Sequence, residues 1–131
     1  MNYKSLNGSV LTYLGDSYYE HEIRNYLVKQ GITKLNNLHQ EAVKYTSGVA
    51  QAKIVYYYLS ENLLTEEELA IYKRGRNISA GSKKHLEIDV INASNGFEAL
   101  IGYLSINDTF RAKQLINQGI TYIKGTDGTT K

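Results

Sequence analysis

The chain has no cysteine, no proline and no tryptophan among its 131 residues. The lack of cysteine excludes disulfide bonds, thiolate metal sites and cysteine nucleophiles, and it is typical of a reducing compartment. The lack of proline removes the strongest helix breaker, so long uninterrupted helices are favoured. No stretch approaches the roughly 18 consecutive apolar residues that would suggest a membrane span, and the N-terminus lacks the apolar run of a signal peptide. We therefore expect a cytoplasmic, all-α protein.

The length and the charge balance limit what one chain of this size can do. A chain of 131 residues is expected to form one domain with a sizeable core. Fifteen Lys and Arg stand against 13 Asp and Glu, for a formal net charge of +2, so any affinity for a polyanion must come from local clustering. We predict one helical, bundle-like domain over residues 1–123 and a disordered polar tail over residues 124–131.

Apolar residues that recur at three- and four-residue steps predict six helices. The first four cover about residues 7–29, residues 37–44, a segment that includes residues 49–59, and residues 65–74. The fifth runs from Asp89 to about Ser105, and the sixth follows Asp108. Residues 75–87 lack an apolar period and are predicted as a loop. The predicted N-terminal caps are Ser47 for the third helix, a Thr65–Glu68 capping box for the fourth, Asp89 for the fifth and Asp108 for the sixth.

Two segments about 80 residues apart each place one carboxylate among apolar and small residues. The acid is Asp16 in Tyr13-Leu14-Gly15-Asp16-Ser17, and it is Glu98 in Gly96-Phe97-Glu98-Ala99-Leu100-Ile101-Gly102. A carboxylate on a packing face is costly unless it is paired, hydrogen-bonded or bound to a cation. The small residues beside both acids permit close helix approach. We therefore predict that Asp16 and Glu98 lie together.

A divalent cation is one way to hold two such acids together. Two carboxylates a few ångströms apart repel unless one takes a proton or a cation lies between them. The chain offers oxygen ligands without cysteine and without a His-x-x-x-His pattern, which favours Mg²⁺, or else Mn²⁺, over zinc. From spacing alone, Asp16 and Glu98 could equally be ordinary caps or members of ion pairs.

A cluster of positive charge follows the fourth predicted helix. Five of the 15 basic residues lie between Glu68 and Glu87 with no acid among them. Cations beside an acidic metal site would hold a nucleic-acid backbone while the metal acts on one phosphate. A solvated loop without a ligand is the alternative. The spacing does not match a phosphate-binding P-loop, so nucleoside triphosphate binding is unsupported. The cluster consists of Lys73, Arg74, Arg76, Lys83 and Lys84.

At Tyr13-Leu14-Gly15-Asp16-Ser17 and at Gly96-Phe97-Glu98-Ala99-Leu100-Ile101-Gly102 the chain resembles the catalytic domain of the ribonuclease III family, whose acidic signature motifs these segments match. Lys73-Arg74-Gly75-Arg76-Asn77, followed by Gly96-Phe97-Glu98, is similar to the short bacterial form of the family, Mini-ribonuclease III. That form lacks a separate double-stranded-RNA-binding domain, and we expect none here. The resemblance covers roughly residues 6–123, with the motifs in the same order.

The resemblance implies an all-helical ribonuclease III endonuclease domain that forms a homodimer. Two active sites would line one cleft, each cutting one strand of an RNA duplex to leave a 5′ phosphate and a 3′ hydroxyl. It also implies maturation of the large-subunit ribosomal RNA precursor, with or without a ribosomal protein that shapes the substrate. By motif position, Asp16 and Glu98 are implied to be catalytic metal ligands, and Tyr13 is implied to lie near the dimer interface.

Two positions depart from the family pattern. Ribonuclease III usually carries a glutamate four residues before its aspartate and an aspartate three residues before its last glutamate, whereas this chain has Thr12 and Asn95. Asn95 can still offer a carbonyl oxygen to a metal, and Thr12 a hydroxyl. We expect the less negative site to hold metal more weakly, which leaves the number of metals open. Glu20, one turn beyond Asp16, is a further candidate ligand.

Together, the motifs predict metal-assisted hydrolysis of double-stranded RNA. Mg²⁺ held by Asp16 and Glu98 would activate a water and stabilise charge on the scissile phosphate. The basic cluster would grip the duplex backbone and recognise its shape with little base reading. One alternative is a module of the same fold that binds structured RNA during ribosome assembly without cleaving it. Another is a helical interaction protein with no RNA partner.

Overall fold

The protein is all-helical, as a computed structural model shows. The model describes residue 2, residues 5–78 and residues 81–129. These residues form six α-helices and a short 3-10 helix, and no β-strand occurs in these ranges, so the predicted all-α class is confirmed. The helices are α1 (Gly8–Lys29), α2 (Leu35–Thr46), α3 (Gly48–Ser60), α4 (Glu66–Arg76), α5 (Ile88–Asn107) and α6 (Thr109–Thr129), with the 3-10 helix at Gly81–Lys83.

Helix α5 is the centre of the fold. Every residue from Ala93 to Leu104 is buried, and the helix packs against α1, α3, α4 and α6. A helix that is buried on all sides has to be almost entirely apolar or small. Asp89 and Glu98 are the only charged residues on α5, and Glu98 lies in the middle of its buried part.

Within the described part of the chain, the helices are too short or too polar for any of them to span a lipid bilayer.

Three predicted helix starts are confirmed by their hydrogen bonds. The Ser47 side chain accepts from the backbone N–H of Ala50 at the start of α3. The Thr65–Glu68 capping box forms in both directions at the start of α4. Asp108 accepts from the backbone N–H of Arg111 and caps α6. Local side-chain chemistry therefore sets these three boundaries.

Other boundaries differ from the prediction. Helix α2 begins at Leu35, two residues before its predicted start. The N-cap of α5 is Glu87, and Asp89 lies in the first turn, where the helix dipole favours a negative charge. Helix α4 continues to Arg76, into the segment predicted as a loop. At the start of α5, therefore, the aspartate lies inside the helix and does not cap it.

The end of the chain also differs from the prediction. We expected residues 124–131 to be disordered, yet α6 continues through Thr129, and residues 130 and 131 lie outside the described residues. The Lys124 ammonium lies 5.8 Å from the centre of the Tyr26 ring, and the Thr126 hydroxyl donates to the carbonyl of Ile123 at 2.9 Å. With no proline to stop it, the helix extends past its last buried apolar residue, Ile123.

Candidate active site

Helices α1 and α5 meet through two glycines. A Cβ at Gly15 would overlap the carbonyl oxygen of Glu98, and a Cβ at Gly102 would overlap the carbonyl oxygen of Leu11. Only glycine allows the two backbones to approach this closely. The pairing of falling numbers on α1 with rising numbers on α5 makes the helices antiparallel at this contact. Because Asp16 follows Gly15 directly, the contact places its carboxylate beside Glu98.

Helix α4 approaches α5 from another side in the same way. A Cβ at Gly75 would lie 2.6 Å from the Cβ of Ala99, and a Cβ at Gly96 would lie 2.5 Å from the ring of Tyr72. The middle of α5 is therefore held between α1 and α4 by glycine contacts on both sides. This packing fixes the turns of α5 that carry the polar site residues.

Glu98 is buried in this packing, with 6% of its surface exposed. Its Oε1 accepts from Lys83 Nζ at 2.7 Å, and its Oε2 lies 3.4 Å from Gln51 Nε2. Burial raises the pKa of Glu98, the Lys83 ammonium lowers it, the neighbouring Asp16 raises it again, and the net pKa is above the ordinary glutamate value. Lys83 therefore compensates only part of the cost of charging this carboxyl group. Two carboxylates, Asp16 and Glu98, therefore face the single ammonium of Lys83.

Lys83 is held by three oxygen atoms of α5. Its Nζ donates to Ser94 Oγ at 2.9 Å, to Asn95 Oδ1 at 2.7 Å and to Glu98 Oε1 at 2.7 Å. The Ser94 hydroxyl in turn donates to Gln51 Oε1 at 2.6 Å. An ammonium ringed by oxygens shows that this corner of the site favours a cation. An all-oxygen donor set with two carboxylates also fits Mg²⁺ or Mn²⁺.

The two predicted acids, Asp16 and Glu98, are thus neighbours, but few other carboxylates lie close enough to help them bind a metal. Among the residues that the structure describes, no group of three or more His, Cys, Asp and Glu could hold a metal. The Thr12 hydroxyl donates to the carbonyl of Ser9 at 2.9 Å. Glu20 Oε1 lies 3.6 Å from Arg24 Nη2, and Glu20 lines a cavity between α1 and α2. A metal here would be held chiefly by Asp16 and Glu98, with Asn95 offering an amide oxygen.

Four of the five basic residues are exposed, and the fifth, Lys83, is partly buried. Lys73 and Lys84 are exposed, Arg74 Nη1 donates to the carbonyl of Leu6 at 3.0 Å, and the Arg76 guanidinium lies over the Tyr72 ring at 5.3 Å. Lys83 is different, because its ammonium points inward to Glu98 and not to solvent. The sequence predicts that Lys83 holds a duplex backbone with the other four, and the structure pairs it with Glu98 instead. Three oxygen acceptors in a partly buried position explain its inward orientation.

Sequence reasoning missed Gln51 and Ser94, and it missed the pairing of Lys83 with Glu98. Gln51 is 3% exposed and Ser94 is fully buried. A signal for Gln51 exists, since it shares the apolar face of α3 with the buried Ile54, Val55 and Tyr58 at helical spacing. A polar residue on an apolar face is a candidate for a hydrogen-bonded site.

Tyr13 lies on the surface, with 79% of its area exposed. Other large apolar side chains are exposed near the same end of the α1–α5 pair. Ile106 lies one turn beyond Gly102, which contacts Leu11 across the antiparallel crossing, and Phe110 follows at the start of α6. The exposed apolar residues of this end are Val10 (40%), Tyr13 (79%), Ile106 (38%) and Phe110 (80%).

Comparisons with known proteins agree with this geometry. The ribonuclease III domain matches residues 9–109. The Mini-ribonuclease 3 of Acholeplasma laidlawii is 54% identical over 119 residues, which cover 91% of this chain and 95% of that protein. The Mini-ribonuclease 3 of Streptococcus pneumoniae is 42% identical, with 92% and 95% covered. That of Enterococcus faecalis is 42% identical, with 96% and 97% covered.

A solved structure shares the fold. The crystal structure of a protein from Fusobacterium nucleatum superposes with a TM-score of 0.78 at 26% sequence identity, covering 89% of this chain and 93% of that one. The two segments that carry Asp16 and Glu98 both lie within the matched domain. The chain therefore belongs to the ribonuclease III family of endoribonucleases.

Proposed function

We propose that this protein is a metal-dependent endoribonuclease that cleaves double-stranded RNA and matures the large-subunit ribosomal RNA precursor in the cytoplasm. One observation carries the proposal: the glycine contact between α1 and α5 puts Asp16 beside the buried Glu98, so that two carboxylates face the single ammonium of Lys83. The names of the Mini-ribonuclease 3 relatives support RNA as the substrate.

Mg²⁺, or Mn²⁺ in its place, is the cofactor that these donors suit. Asp16 and Glu98 would hold it through their carboxylates, and Asn95 would add an amide oxygen. Such an ion, when bound, supplies Lewis-acid stabilisation of the phosphate and an activated water. Lys83 acts as a positioning residue, since its hydrogen bonds fix Glu98 and Asn95 relative to each other. Gln51 and Ser94 extend the same network into α3.

Recognition of the duplex would rely on its backbone. Lys73, Arg74, Arg76 and Lys84 lie on or near the end of α4 and the segment that follows it, and all four are exposed. Basic side chains in such positions neutralise phosphates without reading bases, so binding weakens steeply as salt rises. An A-form duplex, whose deep and narrow major groove hides its bases, suits recognition by shape.

We also propose that the active form is a homodimer. The exposed apolar side chains at one end of the α1–α5 pair, Val10, Tyr13, Ile106 and Phe110, are of the kind that a second subunit covers. Exposed apolar side chains grouped at one end of a protein are common at interaction surfaces. Two copies would bring two acid pairs to one duplex, which allows both strands to be cut.

A cleavage assay tests the proposal directly. A long, fully paired RNA with Mg²⁺ is incubated with the wild-type protein, with Asp16→Asn and with Glu98→Gln, and chelation of the metal is the matched control. We expect the wild type alone to cut, and only with metal present. If all three proteins bind the duplex and none cuts it, the protein is an RNA-binding module of the same fold. If none binds at low salt, it is an interaction protein without an RNA partner.

The ribosomal substrate needs its own test. Purified protein is mixed with a transcript that carries the paired ends of the large-subunit ribosomal RNA precursor, alone and with ribosomal proteins added. We expect cleavage at defined positions within the paired stem. Cleavage of unrelated duplexes at a higher rate than this transcript would contradict the assignment of the substrate.

A further inference from the structure

A second concave site lies next to the acid pair but shares no residue with its network. It is a cavity of about 310 Å³ between α3, α4 and the first turns of α5. This volume is at the lower end of small-molecule sites, so it suits one small ring system and not a long segment of chain. The residues that define its chemistry are Tyr56, Tyr72, Arg76, Asn77, Asp89 and Asn92.

One part of the cavity wall offers the guanidinium plane of Arg76, which covers the buried Tyr72 ring, and the exposed ring of Tyr56. The Arg76 guanidinium lies 5.3 Å from the centre of the Tyr72 ring. Tyr56 is 45% exposed, and its hydroxyl donates to the carbonyl of Asp89 at 3.3 Å, which ties α3 to α5 at this point. Aromatic rings and guanidinium planes are the surfaces on which unpaired nucleobases stack.

The remaining wall offers polar side chains that are available to a ligand. Asn77, Asp89 and Asn92 make no side-chain hydrogen bond or ion pair to any residue in the described part of the chain. A carboxylate accepts hydrogen bonds only, whereas an amide both donates and accepts. Asp89 disfavours a phosphate group inside the cavity, because two negative charges would repel. The wall therefore suits a neutral ring that carries N–H donors.

Guanine is the base that matches this wall best. Its Watson–Crick edge presents neighbouring N–H donors, which suit the Asp89 carboxylate. Its O6 and N7 atoms are acceptors, which suit the amides of Asn77 and Asn92. Uracil offers a single N–H donor between two acceptors, and those acceptors would face the carboxylate. The expected order of preference is guanine first and uracil last.

The cavity and the acid pair lie close together along α5. Asn92 precedes Glu98 by six residues on α5, which is about 9 Å along the helix axis. Because the two positions point about 120° apart around the helix, a base in the cavity and the phosphate at the acid pair would belong to neighbouring nucleotides and not to the same one. Arg76, one of the exposed basic residues, borders the cavity and can neutralise the backbone of the same strand.

We propose that this cavity binds one unpaired guanine of the RNA substrate, so that the protein prefers a duplex with a single guanine bulge near the cleavage position. The inference rests on the proposed function, because the bound duplex is what brings the bulge to the cavity. A base inside a fully paired duplex could enter only after unstacking and unpairing, whereas a bulged base is already free to leave the helix.

Equilibrium binding tests the inference. Labelled RNA duplexes, fully paired or with a single G, A, C or U bulge, are titrated in chelator at constant salt, so that no strand is cut. We expect the wild type to bind the guanine bulge about tenfold more tightly than the paired duplex, the size of one good base contact. Asp89→Asn should lose this preference and bind the paired duplex as the wild type does. Glu41→Gln removes a carboxylate that does not line the cavity and is the matched control.

Each other outcome overturns the inference, and the outcomes separate it from the proposed function. Equal affinity of the wild type for all five duplexes overturns it, while cleavage of the paired duplex with Mg²⁺ would leave the proposed function standing. A preference for bulges that survives Asp89→Asn shows that the flexibility of the RNA is recognised instead of the base. No binding to any duplex overturns both the inference and the proposed function.

Discussion

Glu68 and Glu98 are both buried and both pair with a basic side chain, yet their electrostatics differ. Glu68 is 5% exposed and Glu98 is 6% exposed. Burial raises the pKa of Glu68, but its hydrogen bonds with Arg111 and Thr65 outweigh this, and its pKa falls below the ordinary value. For Glu98, burial outweighs the opposing effect of Lys83, and the pKa is raised. Equal burial therefore does not decide whether the charged form of a carboxylate is stabilised by its neighbours.

The number of donors explains the difference. Arg111 binds both oxygens of Glu68, with Nε to Oε2 at 2.8 Å and Nη2 to Oε1 at 2.9 Å, and the Thr65 backbone N–H adds a third bond at 3.0 Å. Glu98 receives one ammonium, which it shares with Asn95 and Ser94, and a long hydrogen bond of 3.4 Å from Gln51 Nε2, and it lies beside a second acid. Glu68 is a completed structural pair, whereas Glu98 can still gain a cation.

Catalysis should show the largest difference between the two glutamates. Glu98→Gln should slow cleavage of duplex RNA about a thousandfold, since a metal ion contributes several kcal/mol to stabilising the transition state. Glu68→Gln should change the rate by less than about threefold at temperatures where it stays folded. Single-turnover cleavage with Mg²⁺ measures both. A similar loss in both variants, after correction for the folded fraction, would remove the distinction between the two sites.

Stability should show the opposite order. Glu68→Gln should lower the free energy of unfolding by about 3 kcal/mol, because Arg111 would keep its buried charge and lose its bidentate partner. Glu98→Gln should change it by less than about 1 kcal/mol in metal-free buffer, since repulsion from Asp16 is removed along with the Lys83 pair. Urea denaturation of the two variants and the wild type gives the comparison. A larger loss for Glu98→Gln would contradict it.

The pH dependence of stability should differ in sign. Because the folded pKa of Glu68 lies below the ordinary value of 4.5, its contribution is present above that value and is lost as pH falls through the folded pKa. The folded pKa of Glu98 lies above 4.5, so its ionisation destabilises the protein as pH rises from 4.5 through the folded pKa. Glu68→Gln should therefore lose more stability relative to the wild type at pH 7 than at pH 4.

Glu98→Gln should show the opposite trend: its stability relative to the wild type should be higher at pH 7 than at pH 4. Thermal unfolding of the three proteins in metal-free buffers across this range measures both trends. Parallel curves for the two variants would mean that the two glutamates do not differ in their native-state charge balance.

The smallest predicted effect concerns neighbouring lysines. Lys84 is exposed, so Lys84→Ala should reduce the slope of log affinity against log salt for duplex RNA by about one phosphate contact. Lys83 faces Glu98, so Lys83→Met should change that slope by clearly less. Binding in chelator at several salt concentrations separates them. An equal reduction for both would mean that Lys83 turns outward to a phosphate when RNA binds.

Much of the fold was open to prediction because its signals are local. The apolar period, Ser47, Asp108 and the Thr65 capping box each act within one or two helical turns. The proximity of Asp16 and Glu98 was also accessible, since small residues beside both acids predicted a close crossing. The other side chains that contact this pair could not be predicted in the same way.

The pairing of Lys83 with Glu98 depends on the 3-10 helix at Gly81–Lys83, which returns the chain to α5 without any periodic pattern. Gln51 reaches the site from α3, 47 residues away from Glu98. The helical segment from Lys124 to Thr129 was missed because its composition is that of a polar tail, while its Tyr26 contact comes from packing of α6 near α1. Contacts between distant segments leave little trace in the sequence of one chain.

We propose that Asp16 and Glu98 together hold a divalent cation. Calorimetric titration of Mn²⁺ into the wild type, Glu98→Gln and Glu68→Gln tests it without RNA. We predict that the wild type and Glu68→Gln bind Mn²⁺ with similar affinity and that Glu98→Gln binds at least about tenfold more weakly, since one of two charged ligands is gone. Equal Mn²⁺ affinity in the wild type and Glu98→Gln would contradict the account.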